Sequence, residues 1–277
     1  MYDYFTYTAD VLKKEARIPL TVLKTNEAVF RAIAADMAET IKKNNTDGKK
    51  TVFIVPVGPV GQYPFFVELV SKDGINLSNT YFINMDEYLD ERDEYLPMNH
   101  RLSFRGFMEK EVYAKIDPTL VMDKSHRIFP DPKNPNALDA LIESLGKVDV
   151  CYGGIGITGH LAFNEPEDVS IEEFSSRPTR VLTISPETRT INSVGDLNGA
   201  IEAMPKRCAT VGMKQILGAK RIVLGCFRDW HRSVVRHAVC AEPSALFPVT
   251  LLQNHADAQI IIPQTVAEPA YAKMILD

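Results

Sequence analysis

The stretch TVFIVPVGPVG, residues 51–61, joins an apolar run of β-forming residues to a loop of glycine and proline. Similar apolar runs recur along the chain as VDVCY at 148–152, IVLG at 222–225 and IIIP at 260–263. Residues that are apolar at successive positions are typical of strands covered on both faces, as in parallel sheets. Segments long enough for helices separate these runs, and this alternation predicts an α/β domain with a mainly parallel sheet.

Apolar spacing and end signals predict the individual elements of this domain. Thr25 is a candidate cap for the first long helix. The predicted helices cover residues 26–43, 63–72, 104–114 and 137–145. The predicted strands cover residues 51–57, 80–85, 148–152, 180–184, 221–225 and 259–262. The proline-rich stretch 129–136 has the composition of a linker, but the alternation continues on both sides of it, so a single domain over residues 1–277 is expected.

Composition excludes several classes of protein. The 277 residues carry 31 Lys and Arg against 36 Asp and Glu, a net charge of −5, which is not the basic footprint of a nucleic-acid-binding protein. No apolar run reaches the roughly 18 residues of a membrane span, and the first residues lack the features of a signal peptide. The widely spaced cysteines lack metal-ligand spacing, and Cys151 and Cys226 are expected to pack as small apolar residues. We therefore expect a cytoplasmic protein with no nucleic-acid or membrane partner.

Ligands of open α/β sheets bind beyond the carboxyl ends of the strands, so the residues that follow each strand are the functional candidates. The loop 56–61 could present backbone N–H groups to an anion, or could serve only as a sharp turn into a helix. After the strand at 80–85, Asp86 and Glu87 stand side by side, and one of the two is expected to face the cleft. That carboxylate could be a general base, and a capping or turn role is the alternative.

The most informative strand end is GGIGITGHLAFNEP, residues 153–166. Three of its glycines match the spacing of a dinucleotide-binding fingerprint, but that motif must be followed by a helix. Pro166 comes only seven residues after Gly159, which leaves too little room for one. What remains is a glycine-supported loop that carries His160 and Glu165. A carboxylate near a histidine fixes its tautomer and raises its basicity, so this loop predicts an oriented acid/base pair.

Two segments, INMDEY at 83–88 and GIGITGHLAFNEP at 154–166, resemble the signature segments of the glucosamine-6-phosphate deaminase (isomerase) family. Weaker similarities follow in the same order in SFRGFM at 103–108, PETRTINS at 186–193 and MPKRCATVGM at 204–213. The resemblance implies a three-layer α/β/α sandwich. It also implies an enzyme that needs neither metal nor cofactor, acts on a small sugar or sugar phosphate, and assembles as a homo-oligomer.

The resemblance assigns roles to individual residues. Asp86 matches the base that moves a proton between C1 and C2 of the open-chain sugar, His160 matches the residue that assists ring opening, and Glu165 matches the carboxylate that orients it. The positions that match substrate-binding residues are Gly58, Glu87, Gly156, Thr158, Gly159 and Arg228.

Several positions depart from the family pattern, and most of them concern the phosphate. Thr158 replaces an aspartate two residues before the loop histidine, and VGPVG at 57–61 replaces the phosphate-binding T-G-G-T-P. Val194 stands in place of a phosphate-binding arginine, and Arg228 in place of a lysine. Because these changes remove hydroxyl and N–H donors, glucosamine 6-phosphate is expected to be a poor substrate.

Two further segments carry sequence-based expectations. Arg228, Arg232 and Arg236 recur at helical spacing and predict a stripe on one helix face, which is either a rebuilt anion site or a solvated or subunit-facing surface. The acidic, serine-rich segment 167–179 is expected to form a mobile cover over the site.

Two other functions compete with the deaminase prediction. Related folds serve as effector-binding domains of sugar-responsive regulators, but retention of the residues at positions 86, 160 and 165 argues against a sensor without catalysis. A sugar-lactone hydrolase is the other alternative, and the combination of N-E-P with M-D-E-Y favours the deaminase over it.

Overall fold

The computed structural model of the chain describes residues 3–271, in which strands and helices alternate as the apolar runs predict. The strands are β1 Leu20–Leu23, β2 Thr51–Val55, β3 Thr80–Asn84, β4 Asp86–Leu89, β5 Arg127–Ile128, β6 Val150–Gly153, β7 Arg180–Thr183, β8 Arg207–Thr210, β9 Arg221–Gly225 and β10 Ala258–Pro263. The helices are α1 Ala9–Glu15, α2 Asn26–Thr46, α3 Tyr63–Asp73, α4 Phe104–Glu111, α5 Asn136–Leu145, α6 Ile171–Ser175, α7 Pro186–Asp196, α8 Met213–Leu217, α9 His231–Cys240 and α10 Gln264–Ala267. Short 3-10 helices cover Asp3–Thr6, Tyr113–Lys115, Lys124–His126, Ile201–Ala203 and Pro248–Asn254.

Seven strands form one sheet in the order β1-β10-β9-β6-β2-β3-β5, and neighbouring strands pair in parallel. Helices cover both faces of this sheet, so the predicted three-layer α/β/α sandwich with a mainly parallel sheet is confirmed. The sequence does not predict the two edge strands. β1 is half-exposed and β5 has only two residues, so neither produces a continuous apolar run.

Alternate residues of each central strand enter two different cores, because successive side chains of a strand point to opposite faces. In β2, Ile54 joins a core that includes Leu138 of α5 and Val235 of α9. Its neighbour Phe53 joins the core that contains Ile33 of α2. Both faces of the strand are therefore apolar, and this is why apolar residues occupy successive positions in its sequence.

A second, smaller sheet is antiparallel and has the strand order β4-β8-β7. It packs on a cluster of its own, formed by Tyr88, Leu102, Phe163, Ile184, Met204 and Cys208. The strand predicted at 180–184 belongs here as β7, and its half-buried residues mark it as a strand covered less completely than those of the parallel sheet. β3 ends at Asn84 and β4 begins at Asp86, so the chain passes from one sheet to the other at this point.

The helices predicted from apolar spacing are present with small shifts at their ends. Thr25 caps α2 as expected, because its hydroxyl accepts a hydrogen bond from the N–H of Ala28 at 3.2 Å. Cys151 and Cys226 are fully buried among apolar side chains, which confirms their predicted packing. Across residues 3–271, no helix has both the length and the apolar character needed to cross a bilayer.

The predicted stripe of three arginines on one helix face is wrong. Because α9 begins only at His231, Arg228 lies in the preceding turn. Arg232 pairs with Glu268 at 3.0 Å. Arg236 is fully buried and donates to the backbone carbonyl oxygens of Tyr7, Arg232, Val266 and Ala267.

The segment 167–179 is packed onto the body of the protein, and the prediction that it covers the site is wrong. It contains α6, whose Phe174 is fully buried in the core. At its start, Glu167 pairs with Arg177 at 2.6 Å. The residues of this segment do not line the cleft described below.

The centre of the parallel sheet contains a reversal of strand order. β2 and β6 lie side by side, and the sheet continues from β2 to β3 on one side and from β6 to β9 on the other. Such a reversal opens a crevice at the carboxyl ends of the two strands. The loops 56–61 and 153–166 begin at this crevice, so the fold brings the two motif-bearing loops together.

Candidate active site

A cleft that is partly open to solvent lies at the carboxyl ends of β2 and β6. Apolar side chains form much of its wall, among them Val57, Pro59, Phe163, Phe227 and Trp230. The predicted site residues that line it are Gly58, Asp86, Gly156, His160 and Arg228. The remaining predicted residues, Glu87, Thr158, Gly159 and Glu165, are not on its wall.

Asp86 is the first residue of β4, at the passage between the two sheets, and its side chain reaches the cleft. It is only 7% exposed. Burial, together with the negative charge of Glu87, raises the pKa of Asp86 to about 8. A carboxylate with such a pKa is a stronger base than an exposed one and exchanges protons readily near neutral pH, as general acid–base catalysis requires.

Glu87 points away from the cleft, so its predicted contact with substrate is wrong. Its buried carboxylate accepts hydrogen bonds from the N–H groups of Phe104 at 3.0 Å and Arg105 at 2.7 Å, and from the Ser103 hydroxyl at 3.3 Å. Burial raises the pKa of Glu87 to about 7, although these backbone hydrogen bonds act in the opposite direction. Glu87 therefore caps the start of α4, the alternative role that the sequence left open for one of the two carboxylates.

His160 presents the Nδ1 edge of its imidazole to a group of oxygen atoms. Nδ1 lies 2.8 Å from the hydroxyl of Thr158, 3.3 Å from that of Thr188 and 3.3 Å from Oε2 of Glu165. The Thr158 hydroxyl donates to the same Oε2 at 2.9 Å. Because that hydroxyl has a single proton, it accepts a hydrogen bond from Nδ1–H, and the lone pair of the neutral ring is then on Nε2. Thr158 contacts His160 and Glu165 rather than the cleft, which corrects its predicted role in substrate binding.

Glu165 stands behind His160, as expected of an orienting carboxylate. Its Oε1 accepts hydrogen bonds from the hydroxyl of Ser185 at 3.0 Å and from the Ser185 N–H at 3.4 Å. Burial opposes its ionisation, but the hydrogen bond and charge of His160, with the Thr188 and Thr158 hydroxyls, lower the pKa of Glu165 to about 2. Glu165 is thus ionised near neutral pH and stabilises a positive charge on His160.

Two glycines of the loop 153–166 have different structural roles. A side chain on Gly156 would begin 1.9 Å from the imidazole of His160, so only glycine lets the ring lie against the loop. Gly159 has φ +79°, and a side chain there would meet the ring of Phe247 at 2.5 Å. Gly159 therefore shapes the turn and packs against Phe247, and its predicted substrate contact is wrong.

Arg228 lies on the cleft wall in the turn between β9 and α9. One guanidinium nitrogen is 3.2 Å from the point where a side chain on Gly195 would begin, so the guanidinium lies against the end of α7. Val194 does not face the cleft. It is 61% exposed and lines a shallow groove on the outer side of α7.

Several functional candidates on α7 and at its N-cap are absent from the sequence-based predictions. Ser185 and Thr188 hold Glu165 and His160, as described above. Asn192 lines the cleft and donates to the hydroxyl of Tyr88 at 3.0 Å. The segment PETRTINS at 186–193 contains Thr188 and Asn192, so its family resemblance was the available signal.

The cleft therefore combines two groups suited to proton transfer with a single arginine. Asp86 can accept a proton from carbon, and Nε2 of His160 can exchange a proton with an oxygen of the same ligand. Within residues 3–271, no three His, Cys, Asp or Glu side chains converge in a way that could hold a metal ion.

No protein-family model matches the chain. A glucosamine-6-phosphate deaminase from Clostridium perfringens is 27% identical over 257 residues, which cover 90% of this chain and 98% of that protein. A glucosamine-6-phosphate deaminase from Phocaeicola vulgatus is 29% identical over 231 residues, which cover 81% and 83%. The chain is a relative of the glucosamine-6-phosphate deaminases.

Solved structures agree with this relationship. A monomeric glucosamine-6-phosphate deaminase, described as a missing link of the NagB superfamily, matches with a TM-score of 0.77 and 26% identity, covering 90% of this chain and 98% of its own. A 6-phosphogluconolactonase from Trypanosoma cruzi matches with a TM-score of 0.64 over 90% and 95% of the two chains. At 14% identity, the lactonase shows a common fold alone. The resemblance first seen in the two signature segments is confirmed.

Proposed function

We propose that the protein is a metal-free aldose–ketose isomerase or deaminase that acts on an amino-sugar phosphate or a related sugar. The observation that carries this proposal is that Asp86 and His160 line the same cleft. The relatives named above are glucosamine-6-phosphate deaminases, which supports the same class of enzyme.

The reaction follows from the chemistry of the two groups. His160 assists opening of the sugar ring by exchanging a proton with the ring oxygen through Nε2, while Glu165 balances the charge on its imidazole. Asp86 removes the proton on C2 of the open-chain 2-amino aldose while the carbonyl oxygen on C1 takes a proton from His160, which leaves an enolamine. Asp86 returns its proton to C1 while the nitrogen gives a proton back to His160, so that a 2-imino ketose forms. Water hydrolyses the imine to a ketose and ammonia.

Substrate-binding roles for Gly58, Gly156 and Arg228 belong to the same proposal, since all three line the cleft. We further propose a cytoplasmic location and a homo-oligomeric assembly, although one solved relative is described as monomeric. Analytical ultracentrifugation of the full chain tests the assembly. A single species at the 31.0 kDa mass of one chain would contradict it.

The test of the reaction is an assay of ammonia and ketose formation with a panel of free and phosphorylated amino sugars. Asp86→Asn should abolish both products. It should not lower the melting temperature, because burial raises the pKa of Asp86 and the native state therefore disfavours its charge above the unfolded pKa. The amide avoids that cost, so the variant should become more stable than the unmodified protein as pH rises toward 8. Retained turnover with lost stability would make Asp86 a structural residue.

The same panel includes sugar lactones, because the lactonase fold neighbours make hydrolysis the competing activity. A lactonase needs a base that activates water and has no use for proton transfer between carbons. Lactone hydrolysis that survives Asp86→Asn, without ammonia release from any amino sugar, would favour that alternative.

A further inference from the structure

We infer that the substrate carries one negative charge, as a carboxylate or a sulfate ester, at the end remote from the reacting carbons, and that Arg228 binds this group. The inference rests on the proposed function, which places the reacting carbons beside Asp86.

Sheet order separates the two ends of the ligand. Arg228 follows β9 and Asp86 follows β3, and the order β9-β6-β2-β3 leaves three strand spacings between them. Three spacings amount to roughly 14 Å between strand axes. The two side chains therefore enter the cleft from opposite sides, so a group bound by Arg228 is distant from the carbon whose proton Asp86 takes.

A single arginine supplies the positive charge on the described wall of the cleft. Among the described residues that line the cleft, Arg228 is the only lysine or arginine. Its neighbour His231 accepts the N–H of Arg228 on Nδ1 at 2.9 Å and donates from Nε2 to the carbonyl of Ile155 at 3.0 Å. Burial lowers the pKa of His231 to about 3, so this ring is neutral and both its nitrogens are occupied.

A carboxylate ends the helix that Arg228 contacts. Asp196 ends α7 next to Gly195, against which the guanidinium lies. Burial raises the pKa of Asp196, and the charges of Arg228 and Arg101 act in the opposite direction. The carbonyl end of a helix adds partial negative charge at the same place.

Much of the wall around Arg228 is apolar. Val57, Pro59, Phe227 and Trp230 contribute apolar surface, and Pro59 has no N–H to donate. An unmatched charge against such a wall is costly. The planar fork of Arg228 can hold two oxygens of a carboxylate or a sulfate. A phosphate monoester instead brings a charge of about −1.5 to −2 at pH 7.

The experiment compares four ligands with one sugar skeleton: glucosamine, glucosamine 6-sulfate, 2-amino-2-deoxyglucuronic acid and glucosamine 6-phosphate. Calorimetry with the Asp86→Asn variant measures binding without turnover, and ammonia release by the unmodified protein measures reaction. At pH 7.5 at least one of the two monoanions should bind with a Kd about tenfold or more below that of the phosphate, the scale of one charge-assisted hydrogen bond. The sulfate and carboxylate arms identify which of the two groups is preferred.

Two arginine variants provide the matched comparison, each made in the Asp86→Asn background for calorimetry. Arg228→Ala should raise the Kd of the preferred monoanion tenfold or more and leave that of neutral glucosamine unchanged. Arg232→Ala should change neither Kd, because Arg232 pairs with Glu268 and is not on the cleft wall. Lowering the pH from 7.5 to 5.5 should strengthen phosphate binding, because its second pKa is about 6 and the ester becomes a monoanion.

The possible outcomes separate this inference from the proposed reaction. Tightest binding by the phosphate at pH 7.5, or no binding by any of the three anions, would overturn the inference. Rapid ammonia release from tightly bound glucosamine 6-phosphate would do so while supporting the reaction. Monoanion binding that depends on Arg228, without turnover of any ligand, would support the inference and contradict the reaction.

Discussion

Adjacent carboxylates at positions 86 and 87 have different tasks because they lie on one short strand. Side chains of successive strand residues point to opposite faces, so Asp86 reaches the cleft while Glu87 turns to the start of α4. The sequence predicts that only one of the two faces the cleft, but it does not say which one. That choice depends on where β4 pairs with β8, a contact between residues far apart in the chain.

The same limit explains the other errors at the residue scale. The loop motif predicts a paired histidine and carboxylate, and the structure has His160 and Glu165 in contact at 3.3 Å because both lie within one loop. It does not separate Gly156, which makes room for the imidazole, from Gly159, which packs against Phe247. Phe247 comes from a distant segment, and a local pattern carries no information about such a partner.

The coupling of the two carboxylates predicts the pH dependence of the reaction. Asp86 must be ionised to accept a proton, and its pKa is raised to about 8 by burial and by the charge of Glu87. We expect kcat/KM to increase as pH rises through about 8 and to be lost as pH falls below that value. Glu87→Gln removes the neighbouring charge and should move this midpoint to lower pH. A midpoint unchanged in the variant, with the fold intact by circular dichroism, would show that the two groups are not coupled.

Thr158 predicts a second effect at the residue scale. Thr158→Val removes the hydroxyl that links Nδ1 of His160 to Glu165 and leaves Nδ1 with two oxygens at the longer distance of 3.3 Å. The variant should lose about tenfold or more in kcat, a part of what general acid–base catalysis typically contributes. KM should change little, since Thr158 does not line the cleft.

Thr158→Ser is the matched control for this variant, because it keeps the hydroxyl and should retain most of the activity. Equal losses in the serine and valine variants would assign Thr158 a role in packing alone.

At the scale of elements, buried strands are the most predictable part of the molecule. β2, β6, β9 and β10 are apolar on both faces and are found where the sequence predicts them. The spacing of the three arginines before and within α9 does not produce a stripe on one helix face, for a physical reason. The helix begins three residues after Arg228, and one arginine of the series is needed inside the protein.

Arg236 connects three separate parts of the chain. Its guanidinium joins α9 to the segment after β10 and to the N-terminal region by donating to four backbone carbonyl oxygens at 2.7–3.2 Å. Arg236→Met leaves these oxygens without their donor, and each unsatisfied buried group costs about 1–3 kcal/mol. We expect the free energy of unfolding to fall by at least about 3 kcal/mol in urea denaturation. Arg236→Lys keeps the charge but lacks the planar guanidinium, so its free energy of unfolding should lie between those of the unmodified protein and of Arg236→Met. Unchanged stability in both variants would show that Arg236 does not hold these segments together.

At the scale of the whole molecule, the position of the cleft follows from topology. The reversal of strand order between β2 and β6 opens the crevice, and the small antiparallel sheet adds Asp86 at its edge. The sequence predicts the parallel sheet, and the small sheet escapes prediction because its strands are short and come from three separate regions. The contacts that attach this sheet to the rest of the molecule therefore cannot be predicted from the sequence.

The segment 167–179 supplies part of the attachment of the small sheet to the rest of the molecule. Phe174 of this segment is fully buried in the main core. Glu167 pairs with Arg177 within the segment and with Arg180 of β7 in the small sheet. The N–H of Lys214 donates to the carbonyl oxygen of Arg177 at 3.1 Å. A segment with such contacts opens only at a free-energy cost, unlike a loose cover. Hydrogen exchange should therefore show slow exchange in α6 of the free protein and the same rate after a sugar ligand binds. Phe174→Ala should speed exchange in the segment and cost about 3–5 kcal/mol of stability, as for other buried phenylalanines. Fast exchange in the free protein that slows on ligand binding would instead make the segment a lid.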